Sequence, residues 1–340
     1  MPISALLTGL TNPIEIECME GISQADGMPK IRVGIVSKTY YYTPLWIAQD
    51  CHFFKDEGIQ VEIELLGNQN PAELLYRHEI QLAIAPPDSV LQDVDKGGRL
   101  RLLAGNSDRL SHCLITQPEI TTVEQLKGKR FGILSRTEGS FFHFRALAKA
   151  HGLVYPGDYE LVETGGAPVR HQMLLDRKID AGLQSFPWVY VAEKLSFNNI
   201  ADISDYLPQW QFNTLNAHLD WVEENRELVT RFLRAMIRAT NWFYENREGA
   251  AEVAARNLGI NITDSQAGWD YFAKTECITP DMSLSLEGLS HVYAALIDAN
   301  LIKHPNALVN RAYDATSILD EVLRQIRWES GFKGSLEKVQ

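Results

Sequence analysis

The chain has 340 residues, a formal net charge of −12, 45% hydrophobic and 22% charged residues. This is the balance of a folded globular protein, the length allows two domains with a core each, and the acidic surplus argues against binding nucleic acid. The longest apolar stretches fall short of the ~20 residues that cross a bilayer, so no membrane span is expected.

Residues 1–30 are expected to stand apart as an N-terminal extension. They carry Glu15, Glu17, Glu20 and Asp26, and no Lys or Arg precedes the apolar run at 5–10. The basic patch, long apolar run and small-residue cleavage site of an export signal are therefore missing. As written, the chain reads as not exported; a start placed too early, with Met28 the more natural beginning, and a missing signal are the other readings.

A βαβ unit follows. Residues 31–36 form a short β-branched run, 37–43 a polar and aromatic loop, 44–57 a helical pattern closed by Gly58, and 59–65 a second strand, which is the repeating unit of a parallel sheet. Residues 70–78 predict a helix with Pro71 in its first turn, and 80–85 a buried strand. That strand ends in Pro86-Pro87-Asp88-Ser89, where the next helix starts. The pattern restarts with a strand at 130–135, a loop at 136–140 and an amphipathic helix at 141–150 that Gly152 should stop. Leu74-Leu75-Tyr76-Arg77 before the strand at 80 is echoed by Leu174-Leu175-Asp176-Arg177 before Ile179, a weak internal repeat that supports a second βα lobe.

Beyond residue 215 the chain turns to long helices. From 226 to 244, Leu228, Val229, Phe232, Leu233, Met236 and Ile237 recur at helical spacing as a core-facing stripe. Asn225 is expected to cap this helix, and Asn246 with Gly249 to mark the break before a helix at 250–258. Cys18, Cys51, Cys113 and Cys277 lie far apart with no C-x-x-C spacing, so they predict reduced, mostly buried thiols and no metal site.

Several segments, in order, resemble the NMT1/THI5-like group of solute-binding proteins, which contains aliphatic sulfonate, taurine, nitrate and pyrimidine-precursor receptors. They are Thr43-Pro44-Leu45-Trp46-Ile47-Ala48 leading into Phe53-Phe54-Lys55-Asp56-Glu57-Gly58-Ile59, then Leu126-Lys127-Gly128-Lys129-Arg130, then Ile179-Asp180-Ala181-Gly182, then the helical stretch 224–239. The resemblance covers roughly residues 31–325 and implies a type II periplasmic-binding-protein fold, two α/β lobes joined by two crossover strands with the ligand cleft between them. The outward crossing would fall near 103–114 and the return near 212–218. Lobe 1 would then comprise 31–112 and 216–340, and lobe 2 residues 113–215. The implied function is capture of a small organic molecule, a sulfonate, aromatic carboxylate or pyrimidine-like solute, by lobe closure for ABC-type uptake. Its implied partners are that ligand and an ABC-transporter permease, with no cofactor. The place of work would be the periplasm if the start is misplaced or the signal missing, and the cytoplasm as written.

Ligands of parallel α/β sheets bind at the carboxyl ends of strands, where loops and helix N-termini expose backbone N–H groups. Four loops qualify. The first carries Tyr40, Tyr41 and Tyr42, whose faces and hydroxyls suit a cleft wall. In the second, Asp88 reads first as a helix cap and Ser89 as a hydroxyl donor. The third, from Ser135, has Gly139 and Ser140 opening a helix, a natural cradle for an oxygen atom. Glu138 in the same loop reads as a solvated charge that, if it faced the cleft, would favour an amine or an N–H-bearing heterocycle. The fourth loop supplies Phe186 and Trp188 as an aromatic wall.

The alternative is a cytoplasmic enzyme on the same scaffold, a decarboxylase, desulfinase or pyrimidine-precursor enzyme. Pyrimidine synthases of this fold place a lysine and a histidine after the third strand, where this chain has Ala85 and Ser89, and the cysteine-rich motif of those enzymes is absent. Desulfinases place a nucleophilic cysteine after the first strand, where Thr39 stands here. No H-e-x-x-H motif, nucleophile elbow or Walker loop occurs, so no catalytic residue is assigned.

Overall fold

A computed structural model of the chain describes residues 27–137, 139–303, 312 and 314–329; the expected N-terminal extension, Cys18 and Glu138 lie wholly or mostly outside them. The β-branched run after residue 30 forms β1 (Lys30–Ile35), flanked in parallel by β2 (Gln60–Leu65) and β3 (Leu82–Ala85). Two later strands complete this sheet. β10 (Asn213–His218) runs antiparallel between β3 and β4 (Leu100–Ser107), which sets the order β2-β1-β3-β10-β4.

The second sheet repeats that plan with the intervening chain. β6 (Arg130–Ile133) lies parallel to β7 (Glu160–Glu163) and β8 (Ala181–Ser185), while β5 (His112–Thr116) is antiparallel to β8 and to β9 (Asn198–Asp202). Its order is β7-β6-β8-β5-β9. The chain crosses from β4 to β5 through residues 108–111 and returns from β9 to β10 through 203–212. Two α/β sheets joined by two crossings form the type II periplasmic-binding-protein architecture. β4, β5, β8 and β10 are buried along their whole length, as strands covered on both faces must be.

On the first sheet the helices are α1 (Thr43–Asp50), α2 (Phe53–Asp56), α3 (Pro71–Tyr76) and α4 (Asp88–Asp95). The second carries α5 (Ser140–Ala150), α6 (Ala167–Leu175) and α7 (Trp188–Lys194). The echoed tetrapeptides end α3 and α6, and each helix leads to the strand beside the first parallel strand of its own sheet. The repeat therefore marks topologically equivalent helices. Then follow α8 (Leu219–Glu224), α9 (Arg226–Glu245), α10 (Arg247–Leu258), α11 (Ile262–Thr275), α12 (Leu286–Asp298) and α13 (Ser317–Glu329).

Several local expectations are corrected. The single helix at 44–57 is two helices, because His52 adopts a left-handed conformation (φ 63°) between them. Asp88 is not a cap: Pro87 holds the N-cap position of α4 and Asp88 is its first residue, buried. Asn225 does not cap α9 through its side chain; its Nδ2 donates to the Trp221 carbonyl and closes α8 instead. Gly249 lies inside α10 rather than in the break, and a Cβ there would meet the Trp242 ring at 2.5 Å. Its smallness serves helix contact. The stripe on α9 is core as expected: Phe232 is fully buried and stacks on Phe54, ring centroids 5.3 Å apart. Cys51, Cys113 and Cys277 are free thiols, the latter two buried.

Candidate functional site

The loops at the carboxyl ends of the parallel strands of both sheets meet around a cavity of about 50 Å³. After β1 come Ser37, Thr39 and Tyr42, and after β3 comes Pro86; the second sheet contributes Leu134, Gly139, Ser140, Gly166, Ala167 and Arg170. His112, at the start of β5, and Phe212, at the end of the second crossing, complete the wall. Val36 and Leu134 also border an outer chamber of about 220 Å³, lined by 67–71 on one side and Ser135, Thr137 and Glu163 on the other. The inner chamber is large enough for no more than a few waters and is too small for an organic solute. The sheets are drawn together here: the Ala167 N–H donates to Ser37 Oγ (3.2 Å), and a Cβ on Gly166 would stand 2.5 Å from that oxygen. A larger groove of about 350 Å³ between α5 and α12 includes Arg145 and Asp298, which form a 2.9 Å ion pair. No loop at a parallel strand's carboxyl end lines that groove, so the cleft is the candidate site.

Two helix N-termini point into the cleft. Gly139 precedes α5 with φ 55° and ψ −117°, a conformation that glycine alone adopts without strain. This turns Ser140 inward, where its Oγ accepts from the Leu134 N–H at 2.8 Å. Gly166 precedes α6 without any local side-chain cap, and Ser37 of the other sheet fills that role across the cleft.

The side chain that sequence reasoning missed is Arg170, on the first turn of α6. It is 4% exposed, its Nε donates to the Leu183 carbonyl (2.7 Å) and its Nη1 to the Gly165 carbonyl (3.3 Å). A strand glycine signal could have found it. Gly132 and Gly182 are register partners in β6 and β8, and a Cβ on them would approach the Arg170 Cδ to 3.2 and 2.9 Å. The two bare positions form a trough for the arginine stem. Burial lowers the Arg170 pKa to about 10, so it remains charged at neutral pH.

His112 and His143 pack beside it, ring centroids 5.9 Å apart, with Phe212 against both. Burial first, and then the Arg170 charge, pushes His143 down to about 3. His112 is held well below its ordinary value by burial, His143 and Arg170 in that order. Both rings are neutral. Among the described residues, His112 Nδ1, both nitrogens of His143, the Gln184 amide and Ser185 Oγ are buried without a hydrogen-bond partner. Such atoms each cost about 1–3 kcal/mol unless water or a ligand meets them.

The sequence-predicted residues divide clearly. Tyr42, Gly139 and Ser140 line the inner chamber and Ser135 the outer one. Tyr40 turns into the core, donating to the Ser265 carbonyl (2.7 Å) and packing on Phe272. Tyr41 accepts from the Ser111 N–H (2.6 Å) and packs on Phe212. These two support the cleft from behind, because a one-turn 3₁₀ helix at Tyr40–Tyr42 sends three consecutive side chains in three directions. Asp88 and Ser89 lie in α4 and Phe186 stacks on Tyr271 of α11, centroids 3.8 Å apart. Trp188 packs against His171 with the rings tilted by 39°. None of these four borders the inner chamber. Cys113 and Cys277 are pushed up to about 12 by burial, so neither is an activated nucleophile.

Comparison with known proteins agrees with this architecture. A protein of Brucella abortus (strain 2308) with the name "Putative binding protein BAB2_1146" is 22% identical over 75% of this chain and 79% of its own. Among solved structures, the ligand-binding component of an ABC-type import system from Staphylococcus aureus superposes with TM-score 0.71 at 13% identity, covering 86% of this chain and 99% of that one. The alkanesulfonate-binding protein SsuA from Xanthomonas axonopodis pv. citri, bound to MOPS, gives 0.68 at 17% identity, covering 84% and 97%. The desulfurization enzyme DSZB gives 0.63 at 17%, covering 88% and 100%. At these identities the likeness concerns the fold. The NMT1/THI5-like family model matches residues 39–250, and by that match the chain belongs to the NMT1/THI5-like family.

Proposed function

We propose that the protein captures a small organic solute by closing two lobes around it, and hands it to an ABC-type permease. The first sheet with its helices would move as one body against the second, which puts His112, the first residue of β5, in lobe 2 and Asn213–Leu215 of β10 in lobe 1, a shift from the boundaries expected at 112 and 215. The observation that carries this reading is the cleft itself. Loops from the carboxyl ends of strands in both sheets share one cavity, and Ser37 reaches across it to the N-terminus of α6. A chamber of about 50 Å³ admits a solute only if the lobes part first. Similarity to proteins named as binding proteins and import components supports the same reading. Among the described residues no helix is long and apolar enough to cross a membrane, which suits a receptor that meets a separate permease.

The likeness to DSZB motivates a second reading, an enzyme on this scaffold, and one experiment separates the two. Thermal melting of the protein against sulfonates, aromatic carboxylates, sulfinates and pyrimidines is followed by mass spectrometry of each mixture. A ligand that binds the folded state raises the melting temperature with saturation. Recovery of that ligand unchanged is the expected result; conversion to a product would replace the receptor reading with the enzymatic one.

A further inference from the structure

Among the described residues, Arg170 has the surroundings of a charge that awaits its counter-ion. The residue is 4% exposed and borders the inner chamber, and its guanidinium donates to two backbone carbonyls. Burial is the influence that moves its pKa, with no carboxylate among the described residues contributing. A buried positive charge without an anionic partner is costly, and proteins pair such charges or give them a ligand to pair with. The surroundings are also built for it, since the glycines of β6 and β8 leave the trough in which its stem lies.

A second group faces the same space independently. His112 borders the chamber, is 6% exposed, and its Nδ1 has no hydrogen-bond partner among the described residues. The N-terminus of α6 adds the Ala167 N–H, now met by Ser37 Oγ, and a helix start favours negative charge. Planar guanidinium, ring nitrogen and backbone N–H together match an oxyanion group better than they match an amine or a neutral heterocycle.

From this arrangement we infer that the solute is an organic oxyanion, a carboxylate or sulfonate, whose charged group pairs with Arg170 and hydrogen-bonds His112 in the inner chamber. The organic remainder would extend past Val36 and Leu134 into the outer chamber. This inference rests on the solute-capture reading and narrows its ligand class.

The test uses matched pairs that differ in charge and hardly in shape: benzenesulfonate against benzenesulfonamide, benzoate against benzamide, with methanesulfonate and cytosine added. Calorimetric titration of the intact protein should find binding by at least one anion and about 100-fold weaker binding by its neutral counterpart. Arg170→Gln should weaken the anion by about 10- to 100-fold, Arg170→Lys less, and His112→Leu by a smaller factor. The inference is overturned if a neutral member or cytosine binds as well as the anions, if a natively folded R170Q keeps full affinity, or if no anion binds at about 10 mM. Should R170Q not fold, the matched pairs on the unaltered protein still decide. Product formation from any compound would sink solute capture while leaving the Arg170 pairing in place; tight binding of unaltered cytosine would do the reverse.

Discussion

Arg170 and the two histidines share one physical situation, ionisable groups taken out of water. For His143 the linkage has a definite sign. Its folded pKa is about 3 against an ordinary 6.5, so the unfolded chain takes up the proton first. The stability from keeping this ring neutral is complete above pH 6.5 and is lost as the pH falls from 6.5 toward 3. Urea unfolding at pH 7 and pH 5 should therefore show a loss of roughly 2 kcal/mol from this group, and His143→Leu should lose that much less over the same interval. Equal losses in both proteins would contradict the neutral, buried assignment. Little of this was legible in the sequence, because only packing places His143 beside Arg170. Gly139 and Ser140 were legible because a glycine followed by serine at a helix start has local consequences that tertiary contacts need not supply.

At the scale of elements, the long helices after residue 215 do more than extend the chain. α9 lays Val229, Phe232, Leu233 and Met236 on the core, and Phe232 stacks on Phe54 of α2. Glu57 beyond α2 receives Arg234 (3.3 Å) and Arg238 (3.8 Å) from the same helix. The helix thus holds the layer behind the first cleft loop. Phe232→Ala should cost about 3–5 kcal/mol in denaturant unfolding; a loss under about 1 kcal/mol would mean the surroundings collapse into the space. Periodicity made this stripe readable, because a 3.6-residue repeat is a property of one element alone. The direction taken by Tyr40, Tyr41 and Tyr42 was not readable. Alternation applies to strands, and this segment is a 3₁₀ turn whose side chains are claimed separately by α11, the crossing at 108–111 and the chamber.

For the whole molecule, the decisive contact is the one across the cleft. Gly166 has φ −64° and ψ 168°, which any residue tolerates, so its lack of a side chain answers to the 2.5 Å approach of Ser37. Gly166→Val should hold the lobes apart. Small-angle scattering should then give a larger radius of gyration for the variant, with no contraction when a ligand is added, and a melting temperature without ligand within about 3 °C of the original, as expected for a change of under about 1 kcal/mol. An unchanged radius would mean that Ser37 yields instead, and that this contact does not control closure.

What the amino-acid sequence determined by itself was whatever is local or periodic: the βα units, the α9 stripe, the glycine-serine start of α5, and the order of segments that carries the family. The tertiary structure alone decided which side chains share the cleft. Arg170, His112 and Ser37 are far apart in sequence, and no local rule couples them. They meet because two sheets bring their strand ends together, and because Gly132 and Gly182, unremarkable one at a time, fall into register and leave room for an arginine.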